Sequence, residues 1–186
     1  MKTVIRIFML VMLTASLSSC EAIRGLFDVE IDTTIEGELD ILTDETELKS
    51  TDDHGFNASA TIQVMNDDLV DYQDLINAIR AESVSIEVIS LDSAGAPITG
   101  VIILADTQFG ISNPNADFYW VLDSDWPIEP GFEIDLPAES YSVLNQILDE
   151  YKEHAVTISA DGTCNNGNID IVLNFSIEVK VESNPL

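Results

Sequence analysis

The sequence predicts a mainly β chain: an antiparallel sandwich, or a sheet covered by helices, carrying two short amphipathic helices. Three observations predict it. Apolar and polar residues alternate in several separate stretches, the longest being Ile169, Ile171, Leu173, Phe175, Ile177, Val179 and Val181 set against mostly polar neighbours. Clusters of Asn, Asp, Gly and Pro punctuate those stretches as turns do. Only two windows carry apolar residues at helical spacing.

The elements follow in order. Phe27, Val29, Ile31, Thr33 and Ile35 alternate with Asp28, Glu30, Asp32, Thr34 and Glu36, a half-buried strand whose wet side is acidic. Leu39 and Ile41 resume the pattern after Gly37 and read as its hairpin partner. Thr43 to Gly55 reads as a polar loop, and Phe56, Ala58, Ala60, Ile62 and Val64 as the next strand. Asn66-Asp67-Asp68 offers a cap and negative charge to a first helix. Its face is Leu69, Tyr72, Leu75, Ile76 and Ile79, and Arg80 closes it. Ser83 to Val88 returns to period two, Asp92 to Pro97 turns, and Ile98 to Ala105 pairs back.

Asn113-Pro114-Asn115 then breaks the chain. Phe118 to Leu122 and Phe132 to Leu136 are predicted strands separated by Pro127 and Pro130-Gly131. Tyr141, Leu144, Ile147, Leu148 and Tyr151 mark the second helix, with Ser140 as its N-cap and His154 at its end. Val156, Ile158 and Ala160 form a strand that the Asn/Gly turn joins to the last one, a C-terminal hairpin.

The chain of 186 residues reads as one domain with a short tether. It holds 34 acidic and 7 basic residues, a formal charge of −27. Nucleic-acid partners are excluded by that balance, because no basic patch exists to release phosphate counterions. Charge-driven attachment to anionic lipid is disfavoured for the same reason. An apolar share of 46% is too high for a disordered acidic tail. The acidity reads as a solubility device, with divalent-cation binding as the alternative.

The first residues follow another logic. Lys2 and Arg6 precede the apolar run Ile7 to Leu13, and small and polar residues lead on to Ser19. That is the order of a secretory signal, and its apolar run is too short to span a bilayer. Leu17-Ser18-Ser19-Cys20 resembles the bacterial lipobox. The resemblance implies cleavage before Cys20, a diacylglycerol on its sulfur, and often a third acyl chain such as palmitate on the freed amine. Each buried methylene contributes about 0.8 kcal/mol, so two or more chains anchor stably. The expected organisation is a signal peptide over 1–19, a lipidated tether over 20–26 and an acidic β domain over 27–186. Glu21 alone follows the cysteine, short of an acidic surface-export cluster. Periplasm-facing attachment to the outer membrane is expected.

The order of elements over residues 56–186 resembles a group of uncharacterised envelope lipoproteins of the Bacteroidota. The resemblance rests on the segment Phe56 to Arg80, the strand Ser83 to Leu91 and the tail Phe175 to Leu186. It implies an immunoglobulin-like β-sandwich and brings no activity with it.

Catalytic motifs are missing: there is no nucleophile elbow, zinc-protease helix or phosphate loop. His54 sits in a polar loop, His154 reads as a cation at a helix end, and Asp123 with Asp125 is the most that can be posed as a carboxylate pair. Asp161, Asn165, Asn168 and Asp170 are a candidate oxygen set for calcium, against the plainer reading that Asp, Asn and Gly make turns. Trp120 and Trp126 are candidate stacking rings for a glycan or anchors for an envelope protein, against the reading that they pack the core. Cys164, alone once Cys20 is lipidated, is expected to be an exposed or partly exposed free thiol. The leading expectation is a membrane-anchored, non-enzymatic envelope lipoprotein that binds or scaffolds. A calcium- or glycan-binding module is second, and a hydrolase with a carboxylate site third.

Overall fold

The computed structural model describes residues 29–43, 53–137, 141–150 and 154–183. In chain order they form β1 (Val29–Leu42), β2 (His54–Gln63), β3 (Ile76–Ser93), β4 (Ala96–Pro97), β5 (Val101–Ile103), β6 (Gln108–Ser112), β7 (Asp117–Val121), β8 (Trp126–Ile128), β9 (Glu133–Asp135), α1 (Tyr141–Glu150), β10 (Ala155–Cys164) and β11 (Asp170–Ser183). These strands make two antiparallel sheets, the β-sandwich expected from the alternation.

The first sheet is built on β11, with β1 along one side and β3 along the other; β4 and β9 continue it beyond β3. The second is built on β10. β2 lines one side, while β6 and β5 share the other, flanked in turn by β7 and β8. One core lies between them. The first sheet supplies mostly aliphatic residues such as Leu39, Ile86, Leu173 and Ile177; the second supplies Phe56, Phe109, Phe118 and Trp126.

The structure corrects four expectations. The N-terminal hairpin is absent: β1 runs straight through Gly37, which pairs with Phe175. A side chain at Gly37 would run into Ile62 of β2, so this glycine marks a close approach between the sheets rather than a turn. The first helix shrinks to a 3-10 segment, Val70–Leu75. Ile76 to Arg80 join β3, where Val181 and Lys180 offer ladder partners to Ile79 and Arg80. A register shift at Glu182/Ser183 lets Ile76 and Ile79 both point inward. A bulge turns an inward pair into three-residue spacing, and the sequence then looks helical.

Ile98 to Ala105 is not one returning strand. Ala96–Pro97 pairs with the end of β3, then Val101–Ile103 crosses into the second sheet. The C-terminal hairpin is also absent, because β10 and β11 belong to different sheets. Ser140, Phe27 and Cys20 lie outside the described residues.

The second predicted helix is present as α1, and its polar side chains do unexpected work. Asn145 Oδ1 accepts from Ala81 N at 2.7 Å, and Asp149 Oδ1 accepts from Ile79 N at 2.6 Å. The Tyr141 hydroxyl accepts from Val84 N at 3.0 Å and donates to the Leu136 carbonyl at 2.8 Å. These bonds satisfy β3 along the edge that β9 and β4 leave open, so α1 closes a sheet edge that would otherwise template another strand.

Candidate functional site

The residues singled out in the sequence do not converge. Trp126 is 8% exposed and meets Phe109 edge-on at 6.3 Å, while Trp120 stacks on the same ring at 5.7 Å. Both pack on the core from the second sheet, Trp126 buried and Trp120 half-buried. Asp125 Oδ1 accepts from Ala105 N at 3.0 Å, a clamp on a turn, and Asp123 is exposed.

The calcium set is split. Asp161 stands in β10 and accepts from Asn57 Nδ2 at 2.6 Å. Asn165 accepts from Ile102 N at 2.8 Å and donates to the Gly100 carbonyl at 3.1 Å, which binds β10 to β5. Asn168 takes a left-handed φ of 54° in the turn, and with Asp170 and Asp92 it lines an open recess of about 600 Å³ at one end of the first sheet. Among the described residues, no group of three or more His, Cys, Asp and Glu is placed to hold a metal ion.

Cys164 is a correction. It is fully buried, its thiol donates to the Asn166 carbonyl at 2.9 Å, and burial pushes its pKa up. β10 extends through Asp161-Gly162 because β2 pairs with it along its whole length, and inward alternation from Ile158 carries Cys164 into the core. His54 opens β2 opposite Cys164 rather than lying in a loop. His154 precedes β10, beyond the described end of α1, and its carbonyl accepts from Val64 N at 3.3 Å.

The feature that stands out is the outer face of the second sheet. Three registered rows cross β7, β6, β10 and β2: Val121–Gln108–Asp161–Asn57, Tyr119–Gly110–Ser159–Ser59, and Asp117–Ser112–Thr157–Thr61. The middle row carries no charge, and each outer row holds one acid. Tyr119 is 54% exposed and lies over the adjacent strand: a Cβ on Gly110 would come within 2.8 Å of its ring and 2.6 Å of Ser159 Oγ. The outer face of the first sheet is the opposite. Glu30, Asp32, Glu36, Glu38 and Asp40 line β1, and Glu178 and Glu182 follow on β11. Lys180 answers Glu30 at 3.0 Å, and Arg80 answers Glu182 at 3.8 Å.

Sequence reading passed over this surface. Each of its strands shows its own alternation, yet Ser59, Gly110, Tyr119 and Ser159 come from four separate segments. Tyr119 is legible only as one ring of the aromatic run Phe118-Tyr119-Trp120.

No family model and no curated protein matches the chain. Among solved structures it is similar to a chain of Desmodium yellow mottle tymovirus, at 10% identity over 85% of this chain and 84% of that one, with a TM-score of 0.34. It is similar also to a chain of turnip yellow mosaic virus, at 10% identity over 85% and 96%, with a TM-score of 0.33. Likeness at TM-scores this low carries no argument.

Proposed function

We propose that this protein is a lipid-anchored binding module of the bacterial envelope, tethered through Cys20 to the outer membrane and facing the periplasm. The observation that carries the proposal is the basic start, short apolar run and Leu17-Ser18-Ser19-Cys20 ending, which is the order an exported and acylated precursor needs. A binding role, rather than catalysis, is supported by what surrounds the titrating groups that are shifted. Tyr141 and Cys164 are raised by burial within the fold, Glu150 is lowered by hydrogen bonds from Gln146 and Asn115, and Lys180 is raised by its bond to Glu30. Burial is the first cause at Tyr141 and Cys164 and a hydrogen-bond partner at Glu150 and Lys180, so the fold itself accounts for the shifts among the described residues. The outer face of the second sheet, with its uncharged middle row, is the working surface of this reading.

The anchor is tested by growing bacteria that express the full chain with labelled palmitate. Label in the outer-membrane fraction, its loss in Cys20→Ser, and a mature N-terminus at acylated Cys20 by mass spectrometry are the expected results. A mature chain that begins elsewhere, or an unacylated Cys20, overturns it.

A further inference from the structure

Resting on the reading of this chain as a binding module, we infer that the outer face of the second sheet holds an uncharged polysaccharide chain. Tyr119 is its stacking ring, and the Gly110–Ser159–Ser59 row is the track beside it.

In a chain of net charge −27, acids line the outer face of the first sheet, yet the middle row of the second has none. A polyanion is repelled by the field of the whole molecule, and a cation is drawn to the acidic sheet instead. A protein partner of ordinary affinity wants an apolar, desolvated centre, and this face offers only Tyr119 and Val121 amid hydroxyls. A neutral polyhydroxyl ligand matches what is there. Serine and threonine hydroxyls and the Gln108 amide both donate and accept, as sugar hydroxyls do. The exposed aromatic ring offers a π face to the C–H side of a sugar.

Shape agrees with charge. Gly110 carries no side chain, so Tyr119 settles across it and stays close to the level of the surrounding hydroxyls. The row from Tyr119 to Ser59 crosses three strand spacings of about 4.8 Å, a track of roughly 14 Å suited to an extended chain of several sugars. An aromatic ring over a cross-strand glycine also supports the sheet itself. The test therefore has to separate cover from contact.

The full-length lipidated protein, held in detergent, is run through native gels containing amylose, dextran, a β-1,3-glucan or mannan, with alginate and polygalacturonate as anionic controls. At least one neutral polymer should retard it. Ser59→Asp, which leaves the Tyr119–Gly110 contact alone, should weaken that retardation about tenfold, as should Tyr119→Ala. Tyr119→Phe keeps both cover and stacking and should stay within about twofold. Near-UV circular dichroism of each variant confirms folding. Failure of every neutral polymer overturns the inference, as does unchanged retardation of folded Ser59→Asp or preference for the anionic polymers. The Cys20→Ser form should be retarded like wild type, so an anchor that fails and a track that fails give different results.

Discussion

The two sheets solve the same burial problem in different ways. The first has long strands: β1 and β11 run alongside each other without a register break, and β3 follows β11 through bulges. Its inner face is aliphatic apart from Phe175, and its outer face is crowded with acids. The second has one long pair, β2 with β10, and otherwise strands of three to five residues. Its inner face sets the rings of Phe56, Phe109, Phe118 and Trp126 among aliphatic side chains such as Ile103, Ile111 and Ile158, and its outer face carries few acids. Long unbroken ladders hold many backbone bonds and tolerate repulsion between outward carboxylates. Short strands have fewer such bonds and rely on large rings meeting across them. The comparison teaches that charge has been placed where the ladder is strongest.

The sharpest way to break that comparison is Phe109→Ala. Phe109 lies beneath Trp120 and Trp126 and touches Phe175 edge-on at 6.2 Å. Its removal should cost about 3–5 kcal/mol in denaturant unfolding. A smaller loss than for Leu173→Ala in the aliphatic sheet would refute the idea that the short strands lean on their rings.

Gly37→Ala tests the seam between the sheets. The added methyl meets Ile62 and should destabilise by about 1–3 kcal/mol. In an Ile62→Ala background, which lacks the Cγ2 methyl that the new Cβ meets, the same change should cost less, and strict additivity of the two changes would remove the contact from the account.

Tyr141→Phe probes the helix that closes β3. It strands the Val84 N–H and the Leu136 carbonyl, a loss of about 1–3 kcal/mol at neutral pH. The wild type should also lose stability in alkali. Burial raises the Tyr141 pKa above its ordinary 10.0, so the unfolded chain releases this proton first. Stability from this group is complete below about pH 10 and declines as pH rises towards the folded value. The variant should show a shallower alkaline slope; identical slopes would mean that the hydroxyl does not carry it.

The smallest effect concerns charge. Glu38 lies between Glu36 and Asp40 on the outer face of β1, opposite Asn174. Glu38→Gln should stabilise by about 0.5 kcal/mol at low ionic strength, and the gain should shrink in 0.5 M salt as screening shortens to a few ångströms. A gain that ignores salt would point away from repulsion.

Much of the fold is legible in the residues themselves. The alternations around Ile31, Phe56, Val156 and Phe175 each name a strand and its dry side, because a period of two is a local property of the chain. Tyr141, Leu144, Ile147 and Leu148 likewise name the helix α1, and all four are buried. The misreadings share a cause. Ile76 and Ile79 imitate a helix through a bulge, Gly37 imitates a turn through a close contact, and the Asn/Gly turn after Cys164 imitates a hairpin while changing sheets.

The sequence alone therefore determined that this is an acidic, mainly β chain, since composition and periodicity need no partner. Only the tertiary structure decided which strands are neighbours. Pairing joins residues far apart in the chain, and nothing within one strand encodes the register of the next. That is why the uncharged row Tyr119–Gly110–Ser159–Ser59 exists only once the sheet has formed.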